Sequence, residues 1–284
     1  MFIKVVSTNI LLIAGVISSS FFFSSCGSSE EGAGTEDFEV TTDTIPSDVR
    51  VNFDLLRINI PRPWELTGKL SKAKINYNKS FLLSSGKANS FSSNYQKAIG
   101  AGVLGADIYI SASYNQPQDA LENLNNIGKI ATDLGISSAF DTEFLKTLLS
   151  NVSKQDTFQL MLDKAFDKAE KNLRSNQRVA TAVLIITGGW IESLYVTVEG
   201  LHTNPSGENT KPIYESISNH SRAFDYIFQL LNEYKSNPDC AKLIQEIAPS
   251  KSILLGIGNN FKLSAADLPQ IREAVSALRN KVIS

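Results

Sequence analysis

Two stretches of this chain would form helices that are apolar around most of their circumference, and they constrain the fold more than any other feature. They cover residues 91–115 and 178–201. A helix that is apolar on all sides belongs in the centre of a fold, surrounded by other elements. The sequence therefore predicts a core built around these two helices.

The rest of the chain predicts further helices around them. Several segments repeat apolar residues with a period near 3.6, and none combines strand alternation with hairpin-turn residues. Pro63 and Pro117 stand where proline favours the first turn of a helix. We predict an all-α multi-helix bundle of about eight or nine helices, forming one helical domain over residues 49–284.

Both central helices contain glycines within the apolar run, namely Gly100, Gly102 and Gly105 in the first and Gly188 and Gly189 in the second. The first three spell G-x-G-x-x-G, the fingerprint of a dinucleotide-binding turn. That turn needs a buried strand before it, whereas the preceding residues are polar and compatible with a helix. We therefore predict that the five glycines allow close packing between helices.

The N-terminal residues resemble a bacterial lipoprotein signal. Lys4 precedes an apolar stretch, which ends in small residues directly before Cys26. The apolar stretch is shorter than the roughly 20 residues of a membrane-spanning helix. We predict a signal peptide over 1–25 and acylation of Cys26, which would anchor the chain in a membrane. The alternative is ordinary signal cleavage, with Cys26 as an incidental thiol.

Residues 26–48 are small, acidic and hydroxyl-rich, and they predict a flexible tether. Ser28–Glu31 resembles the acidic export signal of surface lipoproteins in Bacteroidota, and Thr44 lies in a motif resembling an O-glycosylation acceptor of the same bacteria. A merely solvated linker explains both motifs as well. Alternation at Val49, Val51 and Phe53 suggests that an extended arm follows.

Charge and residue usage narrow the possible functions. A net charge of −2 supplies no field for nucleic acid, so no nucleic-acid partner is expected. The two histidines, His202 and His220, lie near neither a nucleophile elbow nor a zinc-ligand spacing. We therefore expect no metal and no cofactor, and the sequence leans against an enzyme.

Polar side chains in the two apolar helices mark a candidate ligand pocket. Asp107 and Glu192 each interrupt an apolar run, and a carboxylate facing a core must be paired, hydrogen-bonded or protonated. Together with neighbouring aromatic residues they define a candidate polar-aromatic pocket comprising Asp107, Tyr109, Tyr114, Trp190, Glu192 and Tyr195. The alternative is that both carboxyl groups only fix helix packing.

Several segments resemble a known group of proteins. "IPRPWEL" at 60–66, the stretch 95–136, "GGWIESLYV" at 188–196 and the stretch 268–284 are similar to all-helical predicted lipoproteins of Bacteroidota, which have no established activity. The most distinctive pieces are G-A-D at 105–107, followed by Tyr109, and G-G-W-I-E at 188–192. The resemblance implies an all-helical fold and an envelope location, and it implies no mechanism, cofactor or ligand.

Three functional hypotheses follow. The first is an outer-membrane lipoprotein, facing the periplasm or the cell surface, that binds an envelope protein partner or a small ligand without catalysis. The second is an envelope hydrolase with Asp107 or Glu192 as acid or base. The third is a structural subunit of an outer-membrane complex.

The anchoring prediction is tested by Cys26→Ala. Without the acylated thiol, the protein should leave the membrane fraction, because acyl chains supply the membrane affinity. Fractionation followed by immunoblotting measures this. Unchanged retention of the variant in the membrane fraction would contradict lipidation at Cys26.

Overall fold

The computed structural model describes residues 47–260 and 262–284, which form α-helices, turns and three short 3₁₀ helices, with no β-strand among them. The all-α prediction is confirmed. The α-helices are α1 Ser47–Arg57, α2 Pro63–Lys72, α3 Ser85–Ala88, α4 Asn94–Ser113, α5 Pro117–Ala131, α6 Thr142–Ser150, α7 Gln155–Ser175, α8 Val179–Thr203, α9 Lys211–Glu233, α10 Pro238–Ile247, α11 Lys251–Asn259 and α12 Leu268–Val282. They outnumber the expected eight or nine because short helices such as α3 and α11 carry too few turns for a periodic signal.

The predicted signal peptide, Cys26, Thr44 and nearly all of the predicted tether lie outside the described residues. Helix α1 begins at Ser47, so it includes the last two residues of the predicted tether, 47 and 48. Helices α2 and α5 begin at Pro63 and Pro117, as the proline positions predicted.

The extended arm expected after the tether is wrong, because residues 47–57 form helix α1. Phe53, Leu56 and Ile60 recur at helical spacing, and Phe53 and Ile60 are buried in the common core. The alternation that suggested a strand is ambiguous over so short a segment, since Val49 and Phe53 are also one helical turn apart.

Helices α4 and α8 lie at the centre of the described fold and pack against each other along much of their length. Helices α2, α7, α9 and α12 pack around α8, and α5 covers α4. Among the described helices only α8 is long and apolar enough to cross a membrane, but 78% of its most apolar window is buried inside the fold. Its composition is that of a core helix enclosed by its neighbours.

Three of the predicted packing glycines bring the backbones of α4 and α8 into contact. A Cβ at Gly102 would lie 2.6 Å from the Gly189 nitrogen and closer still to the Ile185 carbonyl oxygen. A Cβ at Gly188 would overlap the Ile99 carbonyl oxygen. Carbonyl groups within a helix cannot move aside, so these contacts exclude any side chain.

The other two glycines of the G-x-G-x-x-G pattern face aromatic rings of other elements. Gly100 lies under the ring of Phe91, and Gly105 lies under the ring of Phe166 in α7. The pattern therefore serves three separate contacts, of which only the one at Gly102 is with α8.

Replacement of Gly102 tests the backbone contact. Gly102→Ala should lower the free energy of unfolding by about 2–3 kcal/mol, because the added methyl overpacks two fixed backbones. Gly128→Ala in α5 is the matched control: its Cβ would meet nothing within 4 Å, so it should gain about 0.5–1 kcal/mol from helix propensity. Urea unfolding followed by circular dichroism measures both, and equal stability of the two variants would contradict the contact.

Candidate functional site

The two carboxyl groups singled out by the sequence meet inside the core. Asp107 in α4 and Glu192 in α8 have no solvent exposure. Arg279 in α12 binds Glu192 through two parallel hydrogen bonds, Nε to Oε2 and Nη2 to Oε1, each 2.8 Å long. A bidentate pair of this kind is the geometry in which a guanidinium best compensates a buried carboxylate.

Asp107 completes this cluster as a protonated acid. Its Oδ2 accepts the Leu83 backbone N–H at 2.9 Å, while Oδ1 meets no N–H or hydroxyl donor. Burial raises the pKa of Asp107 well above its ordinary value, and the negative charge of Glu192 raises it further. Burial also raises the pKa of Glu192, but the Arg279 charge opposes that rise. The proton therefore lies on Asp107 and is donated to Glu192, which leaves the triad of Asp107, Glu192 and Arg279 electrically neutral.

Trp190 is held in a separate buried cluster with His220. Its Nε1 donates to the His220 carbonyl at 3.0 Å, and the two rings stack with centroids 5.4 Å apart. The His220 Nε2 lies 3.0 Å from the Trp190 carbonyl and 3.1 Å from the Ser193 Oγ. Burial lowers the pKa of His220 to about 4, so the ring is neutral at pH 7.

Ser193 and His220 form a hydroxyl–imidazole pair that the sequence did not suggest, but the pair cannot act as nucleophile and base. Because Nε2 faces the Trp190 carbonyl, it carries the ring proton and has no lone pair for the Ser193 proton. The Ser193 hydroxyl donates to the same carbonyl at 3.0 Å. Both side chains are also closed off from solvent.

The six residues of the candidate pocket do not converge on one cleft, which corrects that expectation. Tyr195 packs its ring beneath the Arg279 guanidinium at 4.5 Å. Tyr114 donates its hydroxyl to the Ile75 carbonyl at 2.7 Å. Asp107, Trp190 and Glu192 are buried, and their hydrogen-bond partners also lie inside the core. Of the six, only Tyr109 lines a cavity described below.

Tyr109 forms one wall of an apolar cavity, which we call the slot. The slot has a volume of about 70 Å³, and Gly102, Gly105 and Gly189 are among the residues that line it. The other lining residues are Arg57, Pro61, Arg62, Pro63, Trp64, Ile136, Phe166, Ala169, Glu170, Leu173, Ala182, Ile185 and Ile186.

Ion pairs between the α1–α2 segment and α7 close the rim of the slot. The Arg57 Nε binds the Glu170 Oε2 at 3.1 Å, and the Arg62 Nη2 binds the Asp167 Oδ1 at 2.6 Å. Tyr109 donates its hydroxyl to an α7 carboxylate, that of Asp163. The acidic face of α7 is thereby matched to two arginines and a tyrosine.

A second, wider cavity of about 290 Å³, which we call the basin, adjoins the slot. Trp64 and Tyr109 line both cavities, and their rings are in tilted contact, with centroids 4.9 Å apart and 34° between the ring planes. The basin is otherwise lined by residues of α2, α4 and α7: Glu65, Thr67, Gly68, Lys69, Lys72, Ala112, Ser113, Asp156 and Gln159. An apolar slot beside a polar basin is an arrangement that suits a ligand with an apolar end and a polar end.

The sequence reasoning missed Trp64 and Arg62 as site residues, although "IPRPWEL" carried a usable signal. Prolines on both sides of Arg62 restrict it to extended backbone, and it has φ −74° and ψ 149°. A rigid extended Pro-Arg-Pro segment followed by an aromatic residue at a helix start holds both side chains in fixed positions at the rim.

Another cavity, of about 300 Å³, lies beside Asp119 and Glu122. The Lys79 ammonium already binds both carboxylates, at 2.6 and 2.9 Å. Among the described residues, no group of three or more His, Cys, Asp or Glu side chains could hold a metal ion.

Comparisons of the chain with protein-family models, with curated proteins and with solved structures gave no match. The geometry defines an all-α domain with a neutral buried triad and an apolar slot that is lined in part by the Trp64–Tyr109 ring pair.

The protonation of Asp107 is tested by Asp107→Asn, because an amide can donate to Glu192 and accept from Leu83 as the acid does. The unfolded chain releases the Asp107 proton above about pH 4, whereas the folded chain keeps it up to its raised pKa. Folding therefore takes up a proton in this window, and the natural chain loses stability as the pH rises. The Asn variant has no such proton, so its free energy of unfolding should rise relative to that of the natural chain by up to about 1.4 kcal/mol per pH unit.

Urea unfolding at pH 5 and pH 7 measures this difference. A difference that stays constant with pH would show that Asp107 is ionised in the folded chain. Glu192→Gln is the contrasting variant: it leaves Arg279 buried without its carboxylate and should cost about 3–5 kcal/mol.

Proposed function

We propose that the protein is a lipid-anchored, non-catalytic binding module of the cell envelope, and that the slot and the basin beside Trp64 form its binding site. The observation that carries the proposal is the pair of adjoining cavities, one lined mainly by apolar residues and the other also by charged and polar side chains, with the Trp64–Tyr109 ring pair lining both. Binding sites of this kind combine a largely apolar surface with a few fixed polar groups.

The anchoring part of the proposal rests on the sequence. The apolar N-terminal stretch that ends at Cys26 supports a lipoprotein signal, and the resemblance to helical lipoproteins of Bacteroidota supports an outer-membrane location. Acylation at Cys26 would hold the domain near the membrane through the tether, in reach of other envelope components.

The site supports binding better than catalysis. The hydrolase hypothesis names Asp107 or Glu192 as acid or base. Both side chains are fully buried, and their hydrogen-bond partners are Leu83, Arg279 and each other. A general acid or base must come within hydrogen-bond reach of its substrate. The structural-subunit hypothesis has no observation of comparable weight in its favour.

Photocrosslinking at position 68 tests the proposed site. Gly68 lines the basin, and a Cβ there would meet nothing within 4 Å, so a benzoylphenylalanine side chain can be placed there without a clash. Irradiation of cells should give an adduct, and its intact mass separates a small ligand from a protein partner. The adduct should be lost when Trp64→Ala is added.

Gly256 is the matched control, because it is an exposed helical glycine with the same open space and lies in α11, away from the basin. An adduct at position 68 no stronger than that at position 256 would refute the proposed binding site.

A further inference from the structure

We propose that the slot binds the short aliphatic tail of a monocarboxylate, while Arg62 binds its carboxylate group. This inference rests on the proposed function, since it names the ligand class for the same site. It follows from the size of the slot, the chemistry of its walls and the charge at its rim.

The volume limits the tail to a few carbons. The slot encloses about 70 Å³, roughly half the volume of an engineered cavity of 150 Å³ that holds benzene. A tail of about three or four carbons is therefore the largest that the slot accepts without rearrangement.

The walls select a hydrocarbon. Apart from the rim residues Arg57, Arg62 and Glu170, the side chains that line the slot are apolar or aromatic. A polar group pushed inside would lose its hydrogen bonds to water without replacement. The apolar end of a ligand must therefore point inward and its polar end toward the rim.

The rim selects an anion. Two arginines and one carboxylate line the slot, which gives the lining a formal charge of +1, and the Asp167 carboxylate that pairs with Arg62 lies outside this lining. Arg57 donates to Glu170 and to the Ile60 carbonyl, so its position is fixed. Burial lowers the pKa of Arg57, and the nearby positive charge of Arg62 lowers it further, while the charges of Glu170 and Asp167 oppose this lowering. A carboxylate placed at Arg62 would reduce this repulsion between the two guanidinium groups.

Arg62 has further N–H donors that could bind such a carboxylate. A guanidinium carries five N–H donors, and in the described structure Arg62 donates one of them to Asp167. The Asp167 side chain is 43% exposed, so this ion pair is of the weak, solvent-screened kind. The Arg62 guanidinium also lies 5.7 Å from the Trp64 ring centroid, at the boundary of slot and basin.

The experiment titrates the full-length protein in detergent with 3-methylbutanoate, 3-methylbutan-1-ol and hexanoate. The signal is the change in tryptophan fluorescence that disappears in Trp64→Phe, because Trp64 lines the slot and Trp190 lies in the core. We expect saturable binding of 3-methylbutanoate, with the alcohol and hexanoate each at least about tenfold weaker, since one loses the charged hydrogen bonds and the other exceeds the slot.

Variants measure separately how the aliphatic tail and the carboxylate of the ligand contribute to binding. Arg62→Met should make the acid bind as weakly as the alcohol. Gly189→Ala should weaken both by about tenfold, because its Cβ would enter the slot with its nearest atoms at 3.2 and 3.5 Å. Ala169→Val on α7 fills the slot from the opposite side and replaces Gly189→Ala if that variant fails to fold. Gly128→Ala in α5 is the control and should bind as the natural protein does.

Three outcomes would overturn the inference: equal binding of acid and alcohol, tighter binding of hexanoate, or no Trp64-dependent signal with any of the three probes. The photocrosslinking experiment distinguishes these failures from failure of the proposed function. An adduct at position 68 that persists without carboxylate binding would leave the binding module intact and remove only the ligand class.

Discussion

The backbone contact between α4 and α8 is the constraint on which the rest of the structure depends. Gly102, Gly188 and Gly189 let two helices approach until carbonyl and amide groups touch, and the remaining helices pack around the pair so formed. Each glycine lowers helix propensity by up to about 1 kcal/mol relative to alanine, and the close packing of two long apolar helices offsets that cost. Gly102 and Gly189 also line the slot, so the contact between the two central helices and the candidate site share these two residues.

The neutral triad shows how the core accepts charge. Glu192 is compensated by a bidentate arginine, and Asp107 by keeping its proton, so that no net charge remains buried. Replacing such a cluster by apolar residues often costs little stability, whereas removing a single member is costly. The cluster joins α4, α8 and α12 through hydrogen bonds that require one relative position of the three helices.

Much of the fold followed from local patterns, and most of the site did not. All-round apolarity identified α4 and α8, and prolines located the starts of α2 and α5, because these signals lie within one or two turns of the chain. The partner of Glu192 did not follow, since Arg279 looks like any surface arginine at a helix end until the packing of α12 is known. The slot was also missed, because its lining residues come from five separate segments of the chain. Their relative positions are known only once the helices are packed. The aromatic residues near Asp107 and Glu192 in sequence pointed in different directions around their helices.

The pairing of Glu192 with Arg279 has a consequence for the order in which the molecule can be completed. The two residues are separated by 87 positions, so α8 is synthesised long before the cation that its carboxylate requires. Until α12 emerges, the Glu192 carboxylate has no arginine to compensate it, and its burial is favoured only when it takes up a proton. The last described helix is therefore needed to complete the charge balance of the central one.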